Sequence, residues 1–170
     1  MLADARLSNE PGVATVAAEG VNAAFNREAA ERRAAGAPDW LRERRLAAWD
    51  VYERTPLPTT QTEEWRYTDV ALLKLDEVQL EEAGGDASSA DAALLGLTGD
   101  AAGRALQVGA RMVEVDVAAD LRARGVIVMD LAAAAAAHPD LVEPYLGTQA
   151  VPAELGKFAA LNGALWSGGV

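Results

Sequence analysis

Few side chains in this sequence could perform chemistry. The single histidine, His138, precedes Pro139 at a predicted break between helices, where a local cap or an exposed ring is the expected role. Cysteine is absent, which excludes disulfides, thiolate metal sites and a cysteine nucleophile within these 170 residues. Adjacent acids that could offer oxygen ligands to a hard cation occur at Glu63–Glu64, Asp76–Glu77 and Glu81–Glu82. Neighbouring acids seldom converge on one point, so we interpret these pairs as solvated surface.

Two further motifs are incomplete. Gly156 and Lys157 resemble the end of a phosphate-binding loop, but Val151 stands where that loop needs its first glycine, and Phe158 stands where it needs a hydroxyl residue. Ser167 is preceded by Trp166 and does not form the Gly-x-Ser-x-Gly elbow of a serine hydrolase. We therefore predict that this chain is not an enzyme and holds no cofactor or metal ion.

The overall charge indicates which partners to expect. A formal net charge of −11 disfavours nucleic acid and anionic membranes, because both are bound by clustered lysine and arginine. Solubility is the simplest role for this charge, and a basic protein partner is the alternative. No apolar stretch is long enough to span a bilayer, and the N-terminus lacks a secretory pattern. The expected location is the cytoplasm.

Two helices are predicted at the N-terminus. Apolar residues at helical spacing indicate one helix from Val13 to Gly36, whose second half turns polar beyond Asn26 and is expected to project into water. A second helix begins at Pro38 and Asp39 and ends near Arg54. Its broad apolar face holds Trp40, Leu41, Ala47, Ala48, Val51 and Tyr52. Leu46 and Trp49 fall on the opposite side, so they are candidates for a partner surface or for a second intramolecular contact.

A linker and an acidic loop are predicted next. Pro56–Thr60 is a stiff connection, and Thr68 or Asp69 is placed to cap a short helix through Leu75. The rings of Trp65 and Tyr67 are suited to anchoring the linker onto a core. Gly84–Ser89 has the composition of a loop, and residues 90–97 are expected to form a turn of helix.

The remaining residues predict a small, mostly antiparallel sheet with short helices. Apolar residues alternate before and after Gly109, and their phase flips there, which indicates a hairpin. Val126–Met129 is predicted to be a strand buried on both faces. Short helices are predicted at 131–137 and 139–146, and Pro144 is expected to end the second one early. An apolar helix is predicted from residue 157 and is expected to stop at the glycine pair 168–169. The predicted class is α+β, with a helical region at 1–56, a linker, short helix and acidic loop at 57–103, and a small α+β region at 104–170.

Several short motifs occur in a characteristic order along the chain. The residues that carry this order are Trp40, Leu41, Arg45, Pro58, Glu64, Trp65, Arg66, Tyr67, Thr68, Leu161, Asn162 and Leu165. In this order and spacing the chain resembles the N-terminal region of the SufB/SufD family of iron–sulfur cluster assembly proteins, and the Trp65–Thr68 segment favours its SufD branch.

The resemblance implies a non-catalytic scaffold subunit of the SufBCD complex, with a SufB-like paralogue and a SufC-like ATPase as partners. It also implies a β-helix that begins near Val170 and lies outside this chain. In the family, the contacts with partners and with the iron–sulfur cluster are attributed mainly to that β-helix and to a C-terminal helical domain. The resemblance therefore assigns no cluster ligand to these residues. A stand-alone acidic protein-interaction module and a lid portion of an α/β enzyme remain as alternatives.

Overall fold

The computed structural model describes residues 23–80, Gly96 and residues 101–170. Within these ranges the chain forms six α-helices, four short 3₁₀ helices and two β-strands. The α-helices are α1 (Arg27–Ala34), α2 (Asp39–Arg54), α3 (Ala119–Ala123), α4 (Leu131–Ala137), α5 (Pro139–Val142) and α6 (Lys157–Leu165). The strands are β1 (Gly103–Val108) and β2 (Arg111–Val117), and the 3₁₀ helices are Glu63–Trp65, Val70–Leu72, Leu75–Glu77 and Ala153–Leu155. The predicted α+β class is confirmed.

The core lies among three helices. Helix α2 is central, with α6 packed along it and α1 contacting both. The buried cluster contains Phe25, Ala29, Ala30, Ala48, Trp49, Val51, Tyr52, Ala160, Ala164 and Leu165. Half of these residues are alanines, whose small side chains let helix axes approach closely. At Gly163 the helices are in close contact, since an added Cβ would lie 3.0 Å from the Cβ of Ala48.

The predicted first helix is wrong in its extent. Residues 23–26 form a turn, and α1 begins after Asn26, whose side chain accepts a hydrogen bond from the Ala29 amide at 2.8 Å. Such a cap marks the start of a helix. The predicted projection into water is also wrong, because Ala29, Ala30 and Ala34 are buried. The part of the prediction on residues 13–22 lies outside the described residues.

The second helix and the linker largely follow their predictions. Helix α2 has the predicted bounds. Asp69 acts as a cap, accepting a hydrogen bond from the Ala71 amide at 2.9 Å, but the helix that it caps is only three residues long. The predicted loop at 84–89 and the helical turn at 90–97 lie outside the described residues, apart from Gly96.

The hairpin prediction is confirmed. Strands β1 and β2 are antiparallel, with Gly103 opposite Val117 and Val108 opposite Arg111. Gly109 occupies the turn with φ +57°, a conformation that glycine adopts at little cost. The register shifts after Leu106, where β2 carries one extra residue. Because of this bulge, Leu106 lies opposite Glu114 and Ala105 lies opposite Val115, so the alternating apolar residues of the two strands occupy opposite faces of the hairpin.

The predicted buried strand at Val126–Met129 is wrong. These residues have no regular secondary structure, and Val126 and Ile127 are 43% and 48% exposed. Their composition favours a strand, but a strand also needs a hydrogen-bonded neighbour, and none is supplied by the described residues.

The later helices match their composition. Asp130 caps α4 through hydrogen bonds from the amides of Ala132 and Ala133. Helix α5 starts at Pro139 and ends at Val142, two residues before Pro144, as the prediction of an early end requires. No helix within the described ranges combines the length and apolarity needed to cross a membrane.

The glycine pair near the C-terminus has a different role from the predicted one. Helix α6 already ends at Leu165, so the pair does not stop it. Instead, a Cβ on Gly168 would overlap the carbonyl oxygen of Ala110, and the Gly169 carbonyl accepts a hydrogen bond from the Leu131 amide at 3.0 Å. The glycines therefore allow the final residues to lie between the hairpin turn and the start of α4.

Candidate functional site

The most distinctive polar group in the described chain is the buried guanidinium of Arg45, which is 4% exposed. Its Nη1 donates hydrogen bonds to the carbonyls of Ala164, at 3.1 Å, and Trp166, at 2.8 Å. The group also lies 4.0 Å from the centre of the Trp166 ring. These carbonyls are at the C-terminal end of α6, where a helix leaves acceptors without internal donors. Arg45 therefore caps α6 from the neighbouring helix.

The environment of Arg45 also changes its acidity. Burial lowers its pKa to about 10, and the nearby positive charge of Arg33 contributes to the same change. The group stays protonated at neutral pH, so the cap is a charged donor. Hydrogen bonds from a charged donor are stronger than neutral ones.

Lys157 makes the reciprocal contact. Its Nζ donates to the Tyr52 carbonyl at 2.6 Å and lies 3.8 Å from the centre of the Tyr52 ring. Lys157 is the first residue of α6, is 5% exposed, and has a pKa lowered mainly by burial. Tyr52 is in the last turn of α2. Each helix of the α2–α6 pair thus provides a cation to the C-terminal carbonyls of the other, and we name Arg45 and Lys157 the capping pair.

A third cation connects α2 to the segment after α5. Arg44 Nη1 donates to the carbonyls of Glu143 and Leu146, both at 2.7 Å. The Arg44 guanidinium lies 5.0 Å from the centre of the Trp40 ring. Trp40 thereby holds the arginine that fixes this connection.

The linker is anchored by Trp65. Its ring centre is 5.2 Å from that of Phe158 at the start of α6, which agrees with the predicted anchoring. Tyr67 is 91% exposed and contacts only the neighbouring Arg66 guanidinium in the described chain, 5.3 Å from the ring centre. The expectation that Tyr67 anchors the linker is wrong.

The prediction that Trp49 lies on the outer face of α2 is wrong. This side chain is 2% exposed, belongs to the core and lies 4.7 Å from the Tyr52 ring, centre to centre. Leu46 is half-buried. Two helices cover α2, and Arg27 of α1 pairs with Asp50 and Glu53, so the buried arc is wider than one apolar face. For Trp49 the second interpretation, an intramolecular contact, agrees with the structure.

Some of the other motif residues are buried and some are exposed at the surface. Leu41 and Leu165 are buried, and Leu161 packs against the core. Asn162 is exposed at its side chain, while its carbonyl accepts a hydrogen bond from the Trp166 amide at 3.0 Å. Pro58 is half-buried, and the remaining motif residues, Glu64, Arg66 and Thr68, are exposed.

The adjacent acids and the histidine do not form a site in the described residues. Glu63 pairs with Arg66, and Glu77 pairs with Lys74 at 2.9 Å. His138 is half-buried between α4 and α5. No three histidine or acidic side chains in the described ranges approach closely enough to hold a metal ion. The Glu81–Glu82 pair lies outside those ranges.

A groove of about 350 Å³ lies beside the α2–α6 pair. Its walls are mainly apolar and include Leu41, Ala47, Tyr145, Val151, Ala159 and Trp166. The charged side chains on its lining are Arg44, which is engaged as described, and Glu154. The lining of this groove holds no acid–base pair.

Comparison with known proteins shows the family to which this chain belongs. The profile of the family described as "SufBD protein N-terminal region" matches residues 23–170. This chain belongs to the SufBD family. The resemblance stated from the motifs is thereby confirmed.

The curated relatives carry iron–sulfur cluster assembly names. An iron–sulfur cluster assembly SufBD family protein of Mycobacterium leprae is 32% identical over 150 residues, covering 78% of this chain and 16% of the relative. A protein of the same name from Mycobacterium tuberculosis is 31% identical over 148 residues, covering 78% and 17%. The iron–sulfur cluster assembly protein SufD of Bacillus subtilis is 30% identical over 135 residues, covering 78% and 31%. This chain therefore spans less than a third of the length of these relatives. No solved structure matches it.

Sequence reasoning missed the roles of Arg44, Arg45 and Lys157. From the sequence, Arg45 is identified only as one of the motif residues. One signal for Lys157 was available, because a cation at the first position of a helix opposes the helix dipole and needs another partner.

Proposed function

We propose that this chain is the N-terminal, non-catalytic scaffold portion of a SufD-type subunit in an iron–sulfur cluster assembly complex. The observation that carries the proposal is the family match over residues 23–170, together with relatives named for iron–sulfur cluster assembly and, in Bacillus subtilis, for SufD. The partners in this proposal are a SufB-like paralogue and a SufC-like ATPase, and the location is the cytoplasm.

The contacts of the cations support a structural role. A catalytic cation needs a donor that faces a substrate. Arg45 and Lys157 are buried and donate to helix carbonyls, and Arg44 donates to two carbonyls of a connecting segment. These groups hold elements together, as a scaffold requires.

We also propose that these residues do not ligate the cluster. Iron–sulfur clusters are held mainly by cysteine thiolates, and the sequence has none. After anaerobic reconstitution with iron and sulfide and removal of excess reagents, the purified chain should retain no stoichiometric iron. One iron or more per chain would contradict this part of the proposal.

The proposal is tested in cells that express the protein from its own gene. We expect the chromosomally tagged protein to co-purify with a SufB-like and a SufC-like protein identified by mass spectrometry. We also expect its depletion to lower the activity of iron–sulfur enzymes without lowering their polypeptide levels. Expression of the wild-type gene should restore activity, whereas a Trp49→Glu copy should not, because that substitution buries a charge in the core. Unchanged enzyme activities on depletion, or the absence of both partners, would contradict the proposal.

A further inference from the structure

The hairpin and the helical core share little packing. Within the described ranges, the buried cluster of the core draws on residues 24–52, Leu80 and residues 153–165, and it includes no residue of β1, β2, α3 or α4. The two strands have their main packing contacts with each other, and Val117 is their one buried residue. A two-stranded hairpin is marginally stable by itself in water, so this hairpin depends on a further contact.

A contact of this kind is made by residues 166–169, which follow α6 and which we name the C-terminal strap. At its near end, Trp166 is fixed to the core, because its carbonyl and its ring both contact the Arg45 guanidinium. Further along, Gly168 lies against the carbonyl of Ala110 in the hairpin turn, so closely that an added Cβ would overlap the carbonyl oxygen. The strap therefore touches both the core and the hairpin.

The far end of the strap is fixed at the start of α4. Leu131 is the first residue of this helix, so its amide has no acceptor within the helix. The cap residue Asp130 accepts hydrogen bonds from the next two amides, and the Leu131 amide donates instead to the Gly169 carbonyl at 3.0 Å. The Leu131 side chain also packs beside Gly169, where an added Cβ would meet it at 3.2 Å. The strap thus joins the hairpin turn and the start of α4 to the core.

We propose that the C-terminal strap is a releasable fastening, and that the hairpin opens as one unit when Gly168 and Gly169 detach while the helical core stays folded. Detachment breaks one backbone hydrogen bond and the packing around two glycines. The core keeps its buried cluster and the contact of Lys157 with the end of α2. Cooperative units of this kind open at a lower free energy than the whole chain. This inference is independent of the proposed function.

Leu131→Pro tests the proposal, because it removes the N–H group that holds the strap. Proline is favoured at the first position of a helix, and the preceding residue, Asp130, has the extended ψ of 135° that a following proline requires, so α4 should be retained. Leu131→Ala is the matched control, since it also loses the leucine side chain but keeps the N–H group. The measurement is residue-resolved hydrogen exchange of the backbone amides of the 170-residue chain, followed by NMR.

In the wild type, the cross-strand amides of β1 and β2 should share one opening free energy, and it should be lower than that of the α2 amides. The hairpin amides should exchange about fivefold faster in Leu131→Pro than in Leu131→Ala, which is the effect of one hydrogen bond. Gly163→Ala places a Cβ against Ala48 in the core, so it should speed exchange of the α2 amides and leave the hairpin amides unchanged.

If Leu131→Pro does not fold, Gly168→Ala replaces it, because the added Cβ displaces the strap from the hairpin turn and should also speed exchange of the hairpin amides. One common opening free energy for the hairpin and α2 amides would overturn the proposal, as would equal hairpin rates in Leu131→Pro and Leu131→Ala. Hairpin amides that exchange without protection in the wild type would also overturn it, because the strap would then hold nothing in place.

Discussion

Replacing Arg45 with methionine should destabilise the chain, because it removes the donor at the C-terminal end of α6. Methionine keeps most of the apolar stem and leaves the carbonyls of Ala164 and Trp166 without their charged partner. It also removes the contact with the Trp166 ring. The substitution therefore separates the contribution of the charged group from that of side-chain packing.

The size of the effect follows from two opposing quantities. The lowering of the Arg45 pKa to about 10, caused mainly by burial and in part by Arg33, corresponds to a cost of about 3 kcal/mol for the charged form, which methionine avoids. Two hydrogen bonds from a charged donor contribute about 1.5–3 kcal/mol each, and the ring contact contributes about 2 kcal/mol. The lost contacts exceed the avoided cost, so the free energy of unfolding should fall by about 2–5 kcal/mol.

The assay is urea unfolding followed by circular dichroism and tryptophan fluorescence. Arg42→Met is the matched control, because Arg42 is on the same helix, is exposed, and pairs only with Asp39 at the surface in the described chain. Its effect should stay below about 1 kcal/mol. The difference between the two variants should not change between pH 5 and 8, since Arg45 is protonated in both the folded and the unfolded chain over that range.

An Arg45→Met protein as stable as the wild type would refute this reasoning. In that case the cost of burying the guanidinium would equal everything that its contacts return, as is known for some buried charges. The capping pair would then add no stability, and its value would be limited to orienting the helices.

Three further predictions concern Lys157, the glycine pair 168–169 and the aromatic rings of the linker. Because the pKa of Lys157 is lowered, the folded chain binds fewer protons than the unfolded chain just below pH 10.5. In urea titrations, the stability of the wild type relative to Lys157→Met should therefore rise with pH in that range. Gly168→Ala should lower the free energy of unfolding by about 1–3 kcal/mol, because the added Cβ overlaps the hairpin turn, and it should speed hydrogen exchange of the Leu131 amide. Gly169→Ala should lower it by less, because there the Cβ meets the flexible side chain of Leu131. Trp65→Ala should lower the free energy of unfolding by about 2–4 kcal/mol, and Tyr67→Ala by less than about 0.5 kcal/mol, since only the first ring is packed on α6.

Local patterns were sufficient for the elements whose signals lie within a few residues. The bounds of α2, the hairpin about Gly109 and the early end of α5 all follow from turn residues, proline positions and the spacing of apolar residues. The cap at Asn26 was also a local signal, and giving it more weight than the run of apolar residues would have located the start of α1.

The errors came from contacts between distant parts of the chain. Trp49 faces outward if α2 has one apolar face, but α1 and α6 together cover it from more than one side. The residues at 126–129 have strand-forming side chains, yet a strand depends on a neighbour that composition does not reveal. Burial and pairing of this kind are set by the tertiary arrangement, so periodicity alone cannot predict them.

The capping pair also explains why α6 adopts one orientation against α2. In the antiparallel arrangement, Arg45 reaches the end of α6 and Lys157 reaches the end of α2, so both cations meet carbonyl groups. If α6 were reversed, its first residue would lie near the start of α2, and Lys157 would face N–H groups and the positive end of the helix dipole. Two buried cations without acceptors would cost several kcal/mol. The small side chains of Ala48, Ala160 and Ala164 fit either orientation, so the charged caps add a preference for the observed one.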